Sequence, residues 1–324
     1  MTHTYIILDA ANLFFRSRHV IRGADLDSQI GLCFHIIFNS IRKVWQKHYG
    51  THTVFCFEGR SWRKDHYAPY KRNRQEMKTK LTEREVEEDR VFWEAYDTFC
   101  TFIKDKTNCT TLQHPNLEAD DLIAGWIQAH PDDKHIVVST DSDLHQLVNH
   151  NVSQYNGIEE YLITNKGYFD DKDKPVIDKK TGLQRTIGTS NWIVFEKSMR
   201  GDPTDNVFSA YPRVRKTALM EAYNDRDRKG FKWNNLMLQK WLDHDGVEHV
   251  VKDDYERNRI LIDLAAQPDD VKVKIFECVT EGMAANKDVA QIGTHLLKFC
   301  GKWNLQKMSD QVTQYSPFMS AKYS

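Results

Sequence analysis

At 324 residues, with 40% hydrophobic and 28% charged side chains and a formal net charge of −1, the chain has the makeup of a soluble globular protein able to fill one large core or two. No apolar run approaches the roughly 20 residues of a membrane span, and Met1-Thr-His-Thr leads straight into a strand-like segment, so neither a membrane anchor nor a signal peptide is expected. The six cysteines (Cys33, Cys56, Cys100, Cys109, Cys278, Cys300) form no CxxC pair and sit mostly in apolar surroundings, the pattern of reduced core thiols in a cytosolic protein.

Thr4 to Leu8 is a β-type run ending at Asp9, and Ile30 to Trp45 has helical spacing through Phe34, Ile37, Phe38, Ile41, Val44 and Trp45. A second strand, Thr53 to Phe57, ends at Glu58, and this strand, helix, strand order opens a parallel α/β sheet. Thr82 and Glu85 form a capping box for a helix predicted to run to about Lys104, and Cys109 to Leu112 reads as a short strand. Glu118 opens a helix through Leu122, Ile123, Trp126 and Ile127. His135 to Ser139 is a strand leading into Asp141-Ser-Asp143, with a helix carrying Leu144, Leu147 and Val148 behind it. Tyr155 to Phe169 reads as strands turning at Asn156-Gly157 and Lys166-Gly167. From about Asn191 the spacing is helical throughout: Trp192 to Met199, Lys216 to Tyr223, Trp233 to Trp241 and Asp254 to Leu264. The expected division is an α/β part over 1–190 and a helical part over 191–324 that packs on it.

The acids Asp9, Glu58, Glu118, Asp120, Asp121, Asp141, Asp143, Asp202 and Asp205 fall at predicted strand ends and helix starts. Any one of them is explained as a helix cap or a solvated loop residue. Their clustering is not, because so many carboxylates share a pocket only when cations hold them. Oxygen ligands suit Mg²⁺ and Mn²⁺, and a two-metal centre activates water and stabilises the leaving oxygen of a phosphodiester, so the residues point to a metal-dependent nuclease. A phosphatase with an Asp-x-Asp nucleophile fits badly, since Asp9-Ala-Ala lacks the second acid. His48 and His52 have zinc-compatible spacing without a companion ligand, and a surface role is expected for them.

The near-zero charge conceals basic stretches that the acids cancel. Arg60, Arg63, Lys64, Lys71, Arg72, Arg74, Lys78 and Lys80 are interleaved with Trp62, Tyr67 and Tyr70, a mixture suited to a single strand whose bases stack while its phosphates meet cations. Arg213-Val-Arg215-Lys216 is the second stretch.

The motifs Asp9-Ala-Ala-Asn-Leu-Phe-Phe-Arg16, Tyr67-Ala-Pro-Tyr-Lys-Arg-Asn-Arg74, Leu117-Glu-Ala-Asp-Asp-Leu122, Val138-Ser-Thr-Asp-Ser-Asp143 and Arg200-Gly-Asp-Pro-Thr-Asp-Asn206 occur in that order. Over residues 4 to 265 the sequence resembles the flap endonucleases and 5′→3′ exonucleases, especially bacteriophage members of the T-even ribonuclease H type. The resemblance implies an α/β, PIN-like nuclease core with a parallel central sheet, and a carboxy-terminal helical region containing a helix-hairpin-helix-like element. It implies that Asp9, Glu58, Glu118, Asp120, Asp141 and Asp143 hold metals nearer the scissile phosphate, and that Asp121, Asp202 and Asp205 shape a second site. Residues of about 59–82 would form a helical arch for a free 5′ strand, with Lys71 facing the phosphate and Arg63, Arg72 and Arg74 contacting nucleic acid. Arg16 would steer the strand end and Phe15 stack on it.

The implied activity is Mg²⁺-dependent cleavage near a 5′ end or flap junction by two or more ions, with Mn²⁺ able to substitute and RNase H activity included. The implied role is primer removal in phage replication in the host cytoplasm. Implied partners are branched or 5′-ended DNA, RNA–DNA hybrids and a single-strand-binding protein or sliding clamp, with the chain itself a monomer. Two departures stand out. Glu58 occupies a position where the family usually has Asp, and Ala210-Tyr-Pro-Arg-Val-Arg-Lys216 replaces a glycine-rich hairpin, so that Arg213, Arg215 and Lys216 would supply side-chain contacts in place of backbone ones. The rival expectation is a non-catalytic, structure-specific DNA-binding protein whose acids bind only stabilising ions.

Overall fold

The computed structural model describes residues 2–21 and 25–324. In chain order it contains β1 (Thr4–Asp9), α1 (Ala10–Val20), α2 (Leu26–His48), β2 (His52–Cys56), α3 (Arg63–His66), α4 (Arg72–Lys78), α5 (Glu83–Lys106), β3 (Thr110–Leu112), α6 (Ala119–Ala129) and β4 (Lys134–Val138). There follow β5 (Val152–Asn156), β6 (Tyr161–Thr164), β7 (Gly167–Phe169), α7 (Ser190–Arg200), α8 (Lys216–Asp225), α9 (Phe231–Met237), β8 (Lys240–Leu242) and β9 (Glu248–Val250). The last helices are α10 (Val251–Ile262), α11 (Asp269–Ala284), α12 (Ile292–Lys302), α13 (Gln306–Ser309) and α14 (Val312–Ser320). None of the described helices is long and apolar enough to cross a membrane.

Two compact units result: Met1–Ser61, Leu81–Ile187 and Val271–Ser324 in one, Trp62–Lys80 and Gly188–Asp270 in the other. One boundary between the units lies between Ile187 and Gly188. The expectation of one continuous helical part over 191–324 is corrected, because Leu296, Phe299, Phe318 and Met319 bury in the same apolar core as Phe34, Phe38 and Phe99. Asn108 reinforces this tie by donating its side-chain amide to the Ser320 carbonyl at 2.9 Å.

The first unit is built on a seven-stranded sheet in the order β3-β2-β1-β4-β5-β6-β7, parallel from β3 through β5 and antiparallel beyond. β1 is central, with Leu8 beside Phe55 on one side and Val138 on the other. Every residue of β1 is buried, as expected of a parallel strand covered on both faces. Its alternation sorts the side chains: Ile6 and Leu8 join the core of α2 and α5, while Tyr5 meets the edge of Trp126 on α6 at 5.3 Å. The Thr82–Glu85 capping box forms as the sequence indicates, and α5 buries Phe92, Ala95, Tyr96, Phe99, Phe102 and Ile103 along one stripe.

At the amino ends of these strands lies an aromatic cluster. Tyr5 stacks against His135 at 5.6 Å and packs on His130 at 4.8 Å. His52 contacts the Ala321 carbonyl through Nδ1 (3.1 Å) and Thr110 Oγ1 through Nε2 (2.8 Å), an arrangement suited to a proton on Nδ1 alone. His52 is therefore a buried core residue, which corrects the surface role expected for it. His135 Nε2 donates to the His130 carbonyl at 2.8 Å, and its buried Nδ1 has no partner among the described residues. Burial, as the leading cause, depresses both imidazoles to about 4.

Two further expectations are corrected. The segment after Asp141 is a 3₁₀ helix, Ser142–Leu147. The helix expected over Trp233 to Trp241 stops at Met237, and the chain forms the β8–β9 hairpin in the second unit instead. Trp241 stacks on His249 across that hairpin at 4.4 Å and donates its indole N–H to the Ala210 carbonyl at 2.9 Å. Asp243 accepts the Asp245 and Val247 amides, and Gly246 takes the positive φ of +79° that the turn requires. The second unit's core gathers Phe195, Met199, Leu219, Leu236 and Val251, with Trp192, Tyr223, Trp233 and Tyr255 packed around it. In contrast, α4 buries none of its residues.

Candidate metal centre and nucleic-acid contacts

In the first unit the acids converge because strand ends and helix starts do. Asp9 ends β1 and caps α1: its carboxylate accepts the Asn12 amide at 3.2 Å and the Ser139 hydroxyl at 2.9 Å. Glu58 follows β2, and its Oε2 accepts the Ala119 amide at 2.9 Å, an otherwise unpaired donor in the first turn of α6. The next residue must be small, since a Cβ on Gly59 would lie 2.0 Å from the His114 carbonyl oxygen and 2.7 Å from that of Leu117. Glu118 caps α6 and accepts the Ser61 hydroxyl at 2.6 Å, while its own amide donates to Asp121 at 3.2 Å. Asp121, fully buried, thus closes a capping box.

Beyond β4, Asp141 caps the 3₁₀ helix by accepting the Asp143 amide at 2.9 Å. The loop that carries it is held from three sides. Thr140 donates its amide and hydroxyl to Asn12 Oδ1 (3.1 and 2.7 Å), Asp141 N–H donates to Ser139 Oγ (3.0 Å), and Gln154 donates to the Ser139 and Asp141 carbonyls (3.0 and 2.7 Å). Asn12, Ser61, Gly59, Ser139 and Gln154 were not singled out from the sequence. Asn12 and Ser139 lie inside quoted motifs, whereas nothing in the sequence marks Gln154, which reaches the loop only through β5.

The electrostatics show that these acids occupy one field. Burial, then Glu58 and Asp141, push the Asp9 carboxyl up to about 8. Asp120 is raised well above the usual carboxylate range by burial, then by Asp141, Asp9, Glu58 and Glu118. Asp9, Glu58, Glu118, Asp120 and Asp141 are thereby brought together, with Asp143 joined to Asp141 through its amide. Mutually repelling carboxylates in a partly enclosed, oxygen-only donor set fit hard divalent cations, whose charge removes the repulsion.

Arg16 is exposed and stands four residues after Asn12 on α1, on the helix face that holds the Thr140 loop. Phe15 is half-buried against Trp93 (4.5 Å between ring centroids) and Tyr96 (5.7 Å).

The second unit holds the remaining candidates. Asp205 receives the Tyr70 hydroxyl at 2.8 Å, the Arg74 guanidinium at 2.5 Å and the Lys71 ammonium at 3.6 Å. Asp202 accepts the Thr204 amide at 2.8 Å and pairs with Lys197 at 3.2 Å; burial raises its proton affinity, but Lys197 and the amides win and the carboxyl sits below its ordinary value. Arg72 is exposed beside Glu76. Arg63 is corrected as a nucleic-acid contact: it is only 3% exposed, stacks over Trp62 and donates to the Leu261 carbonyl at 2.7 Å. Arg213, Arg215 and Lys216 are all exposed, and Arg213 adopts a φ of +60°. That is the left-handed region that favours glycine. Arg213 and Arg215 line an open groove of about 550 Å³ with Tyr211, Lys232 and Gln239.

Comparisons with known proteins bear on the family and the fold. Residues 4–179 match the family model for the 5′-3′ exonuclease N-terminal resolvase-like domain. The chain is 27% identical over 247 residues to DNA polymerase I of Rhizobium leguminosarum, covering 69% of this chain and 21% of that protein, so it spans about a fifth of that relative's length. Among solved structures it is similar to the T5 5′-exonuclease with bound zinc ions (21% identity, 86% of this chain, 99% of that chain, TM-score 0.60). It is also similar to a bacteriophage T5 flap endonuclease complex with DNA and metal ions (20% identity, 86% of this chain, 99% of that chain, TM-score 0.57). With more than half of its length matched by the family model, the chain belongs to the 5′-3′ exonuclease family.

Proposed function

We propose that the chain is a structure-specific 5′ nuclease that hydrolyses phosphodiester bonds near a 5′ end or flap junction, with Mg²⁺ as the working ion and Mn²⁺ able to replace it. The observation that carries this reading is the shared field of Asp9, Glu58, Glu118, Asp120 and Asp141 at the carboxyl ends of parallel strands, the place where such sheets bind ligands. These carboxylates, with Asp143, would hold the ions; Asp121, Asp202 and Asp205 would tune a second position. Held there, divalent cations would supply an activated water and charge compensation at the scissile phosphate.

The chain's own groups would do the positioning. Asn12, Ser139 and Gln154 fix the Asp141 loop, so the ligands do not reorganise as substrate arrives. Lys71, a compact cation, would stabilise phosphoryl charge once exchanged from Asp205 to the substrate. Arg16 and Phe15 would orient the strand end, with Arg72 and Arg74 along its path. The α7, α8 and intervening segment would serve as the helix-hairpin-helix-like grip on duplex, with Arg213, Arg215 and Lys216 as phosphate contacts. Substrates would be branched or 5′-ended DNA and RNA–DNA hybrids, in replication.

The test is a labelled 5′-flap duplex incubated in Mg²⁺ and in EDTA, with products mapped also on nicked and RNA-primed duplexes. Binding without cleavage in Mg²⁺ would favour the non-catalytic reading. For the duplex grip, the Arg213, Arg215 and Lys216 triple alanine variant titrated across a salt series should lose about one unit of salt slope per phosphate contact removed. An unchanged slope would remove these residues from the interface.

A further inference from the structure

We propose that Trp93 is a positioning residue: with Phe15 it forms a two-ring step on which an unpaired base of the 5′ strand stacks. The inference extends the nuclease reading and rests on it. The buried stripe of α5 runs through Phe92, Ala95, Tyr96, Phe99, Phe102 and Ile103. Trp93 lies beside that stripe and is 42% exposed. Its ring is nevertheless held in place, 4.5 Å from Phe15 at a 47° tilt and 5.9 Å from Tyr96 in an edge-on contact.

This step connects to the acids through aromatic contacts alone. Tyr96 is buried, packs on Phe15 at 5.7 Å, and meets the edge of Phe57 at 6.4 Å. Phe57 precedes Glu58 in the chain, and Phe15 follows Asp9 by less than two helical turns on α1. A strand whose phosphate reaches the carboxylates would carry its neighbouring base past the Phe15 and Trp93 rings, with the exposed Arg16, next to Phe15 in the chain, for the adjoining phosphate. Stacking on a ring is indifferent to base identity, which suits an enzyme that reads structure and not sequence.

The experiment uses the full chain and a duplex with a 5′ oligothymidine overhang, in which 2-aminopurine is moved one position at a time and binding is followed in Ca²⁺. We expect quenching at one position in the wild type, loss of that quench and about tenfold weaker overhang binding in Trp93→Ala, and retention of most of both in Trp93→Phe. An abasic site at the quenched position should cost the wild type as much as the alanine variant loses, and cost that variant almost nothing more. Independent, multiplying losses would overturn the proposal, as would a Trp93→Phe variant as impaired as Trp93→Ala with the same drop in Tm, which is the signature of a packing role. A wild type that cleaves the overhang in Mg²⁺ without any quench overturns the stacking step alone. One that neither cleaves nor quenches overturns the nuclease reading together with it.

Discussion

The same three parallel strands end in opposite chemistry. β1 carries Tyr5 near its start and finishes at Asp9; β2 starts at His52 and is followed by Glu58; β4 carries His135 near its start and leads to Asp141. At the amino ends, burial holds two imidazoles neutral and each ring is tied to a backbone carbonyl. At the carboxyl ends, burial and mutual repulsion push the acids towards their neutral forms as well, but their hydrogen bonds come from amides and hydroxyls that favour the charged form. The difference teaches how a site can be told from a core. The two imidazoles at the amino end are held neutral without any added charge, whereas the acids at the carboxyl end are relieved of their mutual repulsion only by added positive charge.

The largest consequence concerns chemistry at the carboxyl end. Asp141→Asn with Asp143→Asn should lower cleavage of a 5′ flap by a hundredfold or more, about the scale of losing the charge compensation a dication needs, while flap binding persists. Near-normal turnover at saturating Mg²⁺ would remove this pair from the centre. Next, Asp9→Asn should raise the cation-free Tm at pH 8, by on the order of 5 °C, because the amide keeps the cap and the Ser139 contact without the charge. It should also abolish the Tm gain that Mg²⁺ gives the wild type. The sign follows from Asp9's raised pKa: its contribution to stability is intact below the unfolded value near 4 and is lost as pH rises towards 8. The wild type's gain from Mg²⁺ should accordingly be greater at pH 8 than at pH 6.

The amino end predicts the reverse dependence. His52 and His135 have folded values of about 4, below the unfolded value near 6.5, so their contribution is complete above pH 6.5 and is lost as pH falls towards 4. Each is worth roughly 3 kcal/mol over that window at most. Denaturant titrations of His135→Gln at pH 7 and pH 5 should show a smaller loss between the two than the wild type shows; an equal loss would place the acid sensitivity elsewhere. The smallest effect is expected of Glu58→Asp, which should retain activity within about tenfold and alter the Mg²⁺ to Mn²⁺ preference, since a shorter arm gives up the Ala119 amide but keeps the charge. Glu58→Ala should be far worse, and wild-type rates for both variants would exclude Glu58 as a ligand.

The carboxyl end could be read from the sequence because its signals are local: a β-run stopping at an acid, an acid pair at helical spacing, a capping box. The parallel order of β1, β2 and β4 followed from the same signals. The amino end could not, because His52, the neighbouring His130 and His135, and Tyr323 come from three distant parts of the chain and become one cluster only when the strands align. Arg63 misled for a related reason: its basic neighbours marked a patch, but composition does not reveal that this guanidinium turns inward to the Leu261 carbonyl. The β8–β9 hairpin was hidden by tryptophans at helical spacing, although Asp243-His-Asp-Gly246 carried the turn signal.

The bond from Asn108 to the Ser320 carbonyl spans 212 positions, and the helices that arrive with it cover Phe34, Phe38 and Phe99. On a ribosome adding about 5–20 residues per second, the aromatic faces of α2 and α5 wait on the order of ten to forty seconds for that cover. During synthesis the chain therefore presents a long-lived apolar surface to chaperones, although all the acids of the sheet have already been translated.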